Sequence, residues 1–595
     1  MAGAGTKRIR IWQAAALAGT GALFLFLALR YDFYYDLNDD WMMGHLLSGA
    51  YTGEGELRNI QSLFPLTALL GGLYRLAPGI PWYPIFLLAA QAGAVLLASL
   101  CIGRWTAKRR GPAAGALWAL LAILFFAGEL WYHLIFVQYS VTAGLLSAAA
   151  TVWILTAKDL KPKSCIVPAV LILLGYLLRS EMALFLLAFP ALAFLYRCIR
   201  LQEEKTSAAG RQRGTFLRGI VLPCAGMLAA LLVGMGIFSG IDRAACSSPD
   251  WTEFRNFFDA RTTLYDFAGG APEYAGNEAF YDGAGITREE AALYRNYDFA
   301  LDPKIDAAMT KKVADYAGSL ADRSVFRTLW VYRHQVLTGN GDAPWSYLAA
   351  LWYLLALLSI AACLIQNRGA GKRAALRDLV FLALVFAARS ALYLYLLYYN
   401  RPVVRLTHCL YLLEGILVLS LVWRNAVTGK ETAGKKRAVR SLLPALLLAA
   451  AAVLSLASQV RSAGAEYARR SEVNGDYAAL TAYAADHAEN FYLVDVYSAV
   501  DYTEKLFGGD TERSLNWDFA GGWCAKSPLA DQKLSLYGIT DPGEALLGDH
   551  VFFVAKKGSD LSWLSDFYQS NGKTVVITGG DEIGEGLCVY QVQAQ

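Results

Sequence analysis

Four aspartates, Asp32, Asp36, Asp39 and Asp40, fall within the short segment Tyr31-Asp32-Phe33-Tyr34-Tyr35-Asp36-Leu37-Asn38-Asp39-Asp40-Trp41-Met42-Met43, directly after an apolar run. Carboxylates this close repel one another beside a low-dielectric slab. That favours a retained proton on at least one of them and suits a general base or a cation site. Asp39 and Asp40, adjacent to Asn38 and several aromatics, are the lead candidates for catalysis or for holding a divalent metal. The competing reading is a solvated acidic loop that obeys the charge asymmetry of membrane loops.

A second constellation, Glu129, Trp131, Tyr132 and His133, lies between two apolar runs and reads as a short outer loop. A carboxylate with a neighbouring His at the membrane surface suits a metal or an acceptor hydroxyl. An interfacial aromatic belt with a snorkelling Glu explains it equally well. Arg179, Glu181, Arg389, Arg401, Arg405 and His408 lie inside or at the ends of apolar runs. A charge at membrane depth costs at least ~2.5 kcal/mol, so such groups face a cavity or a partner. The guanidinium fork matches phosphate oxygens, which makes Arg179, Arg389, Arg401 and Arg405 candidates for a lipid phosphate or pyrophosphate. Headgroup anchoring is the alternative for Arg401 and Arg405. His45, His133, His408 and Trp523 complete the set as auxiliary or acceptor-facing groups. Trp523 belongs to Gly521-Gly522-Trp523-Cys524-Ala525-Lys526-Ser527-Pro528, a tight turn that either docks onto the membrane portion, binds a saccharide or is purely structural.

These residues need a scaffold, and composition names its class. Of 595 residues, 56% are hydrophobic and 17% charged, with a mean hydropathy of +0.34. One soluble core cannot hide that much apolar surface, so the excess faces lipid. A net charge of +4 excludes a nucleic-acid partner. The P-loop, the Gly-x-Ser-x-Gly elbow, His-Glu-x-x-His and the dinucleotide fingerprint are all missing, which argues against ATP-driven transport by this chain alone. The nine cysteines form no Cys-x-x-Cys pair, and Cys246, Cys524 and Cys588 alone fall in polar stretches, which leaves a Cys524–Cys588 disulfide open.

Runs near the ~20 residues needed to cross a bilayer predict eleven membrane helices: 9–29, 84–102, 112–126, 137–155, 166–178, 183–196, 220–238, 347–364, 379–397, 406–422 and 442–456. Lys7, Arg8 and Arg10 place the N-terminus in the cytoplasm. The clusters Arg104 to Arg110, Lys158 to Lys163, Arg197 to Arg218, Arg368 to Arg377 and Arg424 to Arg440 then share that side. Residues 62–77 read as a helix in the outer interface, because counting them as a span would break this pattern. The organisation expected is a transmembrane module over 1–240 with its acidic outer loop at 30–60, an extracytoplasmic loop domain over 241–345, further membrane helices over 346–456, and an extracytoplasmic α/β domain over 457–595. In that last part helical stretches alternate with the apolar runs 491–496, 550–555 and 574–578.

A first span, an outer loop with Asn38-Asp39-Asp40, a juxtamembrane segment, many further spans and an outer C-terminal domain together resemble the GT-C superfamily of membrane glycosyltransferases. The resemblance covers the architecture of nearly the whole chain, while its motif-level support is Asn38-Asp39-Asp40 and Glu129. It implies a GT-C-like polytopic fold in the cytoplasmic (inner) membrane of a bacterium. It also implies inverting transfer of a sugar from a polyprenyl-phosphate donor to an envelope glycan, lipid or protein. By the same resemblance, Asp39 or Asp40 is the base or holds Mg²⁺ or Mn²⁺, Glu129 matches a second-loop acid, and Arg401 and Arg405 grip the carrier phosphate. The sequon-reading motif of oligosaccharyltransferases is absent. Two other classes remain: a secondary transporter or flippase working through Arg179, Glu181 and Arg389, and a non-catalytic envelope assembly protein.

Overall fold

The computed structural model describes residues 10–209, 217–338, 342–366, 371–428, 435–499, 501–508 and 515–595. Lys7, Arg8 and parts of the basic clusters after Arg200, Gln366 and Thr428 lie outside the described residues.

The chain is a polytopic helical membrane protein. Among the described residues ten helices are long and apolar enough to cross a bilayer. They include α1 (Ile11–Tyr31), which precedes two short helices, α2 (Asn38–Ser48) and α3 (Phe64–Leu76). Next come α4 (Trp82–Arg110), α5 (Pro112–Ile135) and α6 (Tyr139–Thr156), which pack against one another. The eleventh expected span is α7 (Pro162–Leu178), 17 residues long. It ends at Arg179, whose extended backbone (φ −152°, ψ 99°) separates it from α8 (Ser180–Leu186) and α9 (Ala188–Ala209). Then follow α10 (Leu222–Ala245) and α11 (Pro249–Thr262), and, after shorter helices, α12 (Trp345–Gln366), α13 (Gly371–Tyr398), α14 (Val404–Thr428) and α15 (Lys435–Asp486).

Two expectations need correction. The acidic segment is not a loop: Tyr34–Tyr35 pair in parallel with Phe136–Val137, and α2 begins at Asn38 with Asp39 and Asp40 in its first turn. Carboxylates are favoured there because the unpaired N–H groups of a helix start carry partial positive charge. The supposed outer loop at Glu129–His133 is helix as well, since α5 bends at Leu130 (φ −131°, ψ 18°) and continues to Ile135. The bend leaves the Gly128 carbonyl to accept hydrogen bonds from Ser455 Oγ, at 2.6 Å, and Gln459. Residue 128 has to be glycine for α15 to approach, because a Cβ there would lie 2.8 Å from the Ala452 carbonyl oxygen.

Helix α3 has 13 residues, about 20 Å of helix, which is too short to span. Helix α15 is far longer than the span expected over 442–456: it runs unbroken for 52 residues out of the bundle. It ends at a five-stranded sheet ordered Trp517–Phe519, Phe491–Val494, Val551–Lys556, Leu587–Ala594, Val575–Ile583. The first three strands are parallel, and the last two join antiparallel. Three of these strands coincide with the apolar runs expected in the α/β domain. All nine cysteines are free thiols, so Cys524 and Cys588 form no disulfide.

Candidate functional site

Asp39 and Asp40 are neighbours in sequence but about 100° apart around α2, so they face different surroundings. Asp40 is fully buried. Its carboxyl accepts hydrogen bonds from Tyr83 Oη at 2.8 Å and from the Tyr139 backbone N–H at 3.1 Å. Burial, reinforced by the charges of Asp39 and Asp36 and opposed by these hydrogen bonds, pushes its pKa well above the usual carboxylate range. Asp39 is half-buried, has no hydrogen-bond or ion-pair partner among the described residues, and lines a cavity of about 380 Å³.

That cavity lies where α2 meets the polar segment after α11 and the sheet domain. Helix α2 is clasped to the sheet: Trp41 stacks on Trp517 with centroids 5.9 Å apart, and Tyr51 Oη donates to Asp518 at 2.5 Å. Asp266 and Arg261 form part of the opposite wall, and Tyr297 and Trp523 complete it. Trp523 is held there by the docking of its turn. A Cβ on Gly521 would lie 1.7 Å from the Tyr297 carbonyl oxygen, and Gly522 has φ +90°. The Gly521–Pro528 segment is thus a docking turn that also contributes to the cavity.

The arginines cluster nearby. Arg401 Nη2 donates to Asp266 at 2.9 Å and lies 5.0 Å from the Phe267 ring centroid. Burial, followed by the like charges of Arg405 and Arg179, lowers the Arg401 pKa against the opposing pull of Asp266. Arg179 pairs with Glu181 at 3.1 Å, donates to Gln61, and lies within electrostatic reach of Asp39 and Asp266. Arg405 is half-buried and makes no hydrogen bond or ion pair among the described residues. Arg261 is held between Phe258 and Tyr297 and donates to the Tyr297 hydroxyl.

The other expected site residues are elsewhere or already committed. Arg389 forms a buried ion pair with Glu414 at 3.0 Å and donates to Tyr332 Oη at 2.7 Å, so its charge is matched inside the bundle rather than offered to a phosphate. Glu129 is buried within α5 and accepts from Trp352 Nε1 at 3.3 Å, because the chain there is helix rather than loop. His133 and His408 bond to each other at 2.8 Å, and His408 stacks on Trp345 at 3.6 Å; both are buried. His45 is buried against Trp41 and bonds Glu504 at 3.2 Å. None of these faces the cavity.

Asp266, Arg261 and Tyr297 were not picked out by sequence. They lie in a polar region with no spacing signal, and Tyr297 adopts a left-handed backbone (φ +69°) that nothing in its sequence context announces. Among the described residues no three His, Cys, Asp or Glu side chains gather around one point. The donors present therefore fit a divalent ion only as Mg²⁺ is commonly held, by one or two carboxylates with phosphate oxygens and water supplying the rest. Asp39, Asp266 and Asp518 are the carboxylates on the cavity wall; Asp266 is paired with Arg401, and Asp518 accepts from Tyr51.

No protein-family model and no curated protein matches the chain. Among solved structures it is similar to ArnT from Cupriavidus metallidurans bound to undecaprenyl phosphate, at 11% identity over 97% of this chain and 98% of that one, with a TM-score of 0.38. The apo state of the same protein aligns at 12% identity over 96% and 98%, with a TM-score of 0.37. The apo oligosaccharyltransferase of Archaeoglobus fulgidus aligns at 11% identity over 97% of this chain and 70% of that one, with a TM-score of 0.40.

Proposed function

We propose that this chain is a GT-C-type membrane glycosyltransferase that moves a sugar from a polyprenyl-phosphate donor to an acceptor hydroxyl on the extracytoplasmic side, with Asp39 as the base. The observation that carries the reading is Asp39 itself: an unpaired carboxylate on a cavity wall, close to a group of arginines that includes the unpaired Arg405. A base must reach its proton, and a departing phosphate must find positive charge.

In this reading Asp39 takes the proton of the acceptor hydroxyl as its oxygen attacks the anomeric carbon. The bond from that carbon to the carrier phosphate breaks, and its electron pair leaves on the phosphate. Arg405, with Arg401 and Arg179 behind it, offsets the charge that develops there. Attack opposite the leaving group inverts the anomeric centre. Trp523 gives the sugar a flat apolar wall, and the buried Asp40 acts as a positioning residue that keeps α2 in place. A Mg²⁺ or Mn²⁺ would supply neutralising charge for the phosphate, and Asp266 is the cavity carboxylate that would hold it, since Asp39 is engaged as the base. The acceptor is an envelope glycan, lipid or protein. The chain sits in the cytoplasmic membrane with its N-terminus inside and its sheet domain outside. The charges a transport route would use, Arg179, Glu181 and Arg389, are all paired.

The test is donor consumption by the purified chain across a panel of radiolabelled polyprenyl-phosphate sugars, with and without Mg²⁺ or Mn²⁺ and with envelope glycans as acceptors. Wild type should consume one donor, and an Asp39→Asn variant with unchanged melting should not. Equal consumption by the two, or none by wild type, removes the reading.

A further inference from the structure

A second polar cavity lies at the other end of the bundle. Helix α4 starts beside Asp40 at Tyr83 and reaches Arg109 twenty-six residues later, about 39 Å along its axis. There a cavity of about 580 Å³ is lined by Arg104, Lys108, Arg109, Lys158 and Arg197, with Glu204 as its one carboxylate. Two of the cations are fixed in place. Arg197 donates to the Ala157 carbonyl through Nε at 2.8 Å and Nη2 at 2.6 Å, and Arg109 lies 3.8 Å from the Trp105 ring centroid. Arg104, Lys108 and Lys158 are exposed and have no hydrogen-bond or ion-pair partner among the described residues. Behind Trp105 the buried Arg424 adds further positive charge, and its Nε and Nη1 atoms are unpartnered.

An apolar groove of about 80 Å³ begins next to this cavity, lined in part by Trp118, Phe125, Leu155 and Trp423. The two share walls on α4 and α6. Ile102 of the groove follows Cys101 of the cavity, and Val152 and Leu155 of the groove precede Trp153 and Thr156 of the cavity. The Trp105–Trp423 pair, 4.4 Å between centroids, stands at the boundary.

From this juxtaposition we propose that the cavity is a binding site for an anionic phospholipid, with the headgroup phosphate among Arg104, Lys108 and Lys158 and an acyl chain in the neighbouring groove. Soluble phosphate would use the same cations but leave the groove idle. General attraction of basic residues to an anionic leaflet would need no cavity at all. The site is separated from the Asp39 cavity by the thickness of the membrane and stands independently of the proposed transferase reaction.

The experiment is native mass spectrometry of the purified full chain titrated with phosphatidylglycerol, with phosphatidylcholine and with inorganic pyrophosphate. The wild-type chain should retain phosphatidylglycerol in preference to phosphatidylcholine. An Arg104→Ala/Lys158→Ala double variant should retain it roughly thirtyfold more weakly, from about one kcal/mol per cation converted at the usual tenfold per 1.4. A Lys372→Ala/Arg373→Ala control removes two exposed cations at the start of α13 and should leave retention unchanged. Equal loss in both double variants would mean bulk charge attraction and overturn the proposal, as would wild type showing no preference between the two lipids. Pyrophosphate binding as tightly as phosphatidylglycerol would overturn it in favour of a soluble ligand. Unchanged melting of both double variants, measured alongside, separates lost binding from lost folding.

Discussion

Asp40 accepts a hydrogen bond from the backbone N–H of Tyr139 at 3.1 Å, which fastens the first turn of α2 to the first turn of α6 across 99 residues of chain. The bond helps hold a short, mostly buried helix in place so that Asp39 faces the cavity.

Asp40→Ala leaves the Tyr83 hydroxyl and the Tyr139 N–H unsatisfied in a buried place, at a cost of about 1–3 kcal/mol for each group. The melting temperature should fall clearly. Asp40→Asn keeps a carbonyl acceptor and should fold. Because burial raises the folded-state pKa above the ordinary 3.8, the wild-type carboxyl favours the folded state most at acid pH and loses that contribution as pH rises through the folded value. The stability of Asp40→Asn relative to wild type should therefore increase from pH 4 upward. A pH series of melting curves checks it, and a difference that stays flat or runs the other way would contradict the buried, proton-retaining carboxyl.

Asp39→Asn should lower donor turnover about 10²–10⁴-fold, the usual worth of a positioned general base, with melting little changed because the carboxylate has no hydrogen-bond or ion-pair partner among the described residues. Single-turnover assays at saturating donor distinguish this from weakened binding.

Arg405→Ala should weaken donor use without destabilising the fold, since the side chain makes no hydrogen bond or ion pair. Arg401→Ala should do both, because it also strips Asp266 of its partner. Arg405→Lys, which keeps the charge but loses the fork, should recover part of the loss. Steady-state kinetics beside thermal melting separates the two arginines.

Gly521→Ala forces a Cβ onto the Tyr297 carbonyl and should displace the docking turn, costing about 1–3 kcal/mol. Trp523 should then leave the cavity wall. Its fluorescence, read in a variant whose melting still shows a cooperative transition, is the measurement; an unmoved signal would mean the turn tolerates the group.

Lys526, half-buried and donating to the Asp302 carbonyl at 2.7 Å, has its pKa lowered to about 8, chiefly by desolvation of its ammonium group. A lysine whose folded-state pKa lies below its unfolded value gives stability that grows as pH rises from about 8 towards 10.5. Wild type should gain on Lys526→Met across that window in differential melting, and parallel curves would argue against the shift.

The membrane helices were legible because lipid demands long apolar runs, and residues 62–77 were set apart because a further span there would break the Lys/Arg asymmetry of the loops; the structure gives α3 13 residues. The strands at 491–494, 551–556 and 575–583 were legible from short apolar stretches between turns. At the site, the acid cluster pointed to α2, but its sequence could not tell the half-buried Asp39 from the fully buried Asp40, because the difference is made by Tyr83 and Tyr139. Arg389 looked like Arg405 in sequence; Glu414, 25 residues on, is what neutralises it. The Glu129 segment read as a loop because its polar residues interrupt an apolar run, while the structure satisfies them with Trp352, His408 and Gln459 from distant helices. Such pairings leave no periodic trace.

Helix α15 enters the sheet domain without a break, and on its way Arg470 bonds Asp36 at 3.1 Å. Rotational phase is therefore a structural variable of this protein. One residue inserted into the helix between the membrane and Arg470 would turn everything above it by about 100° and lift it by about 1.5 Å, carrying Trp523 away from Asp39 although no residue of the cavity had changed.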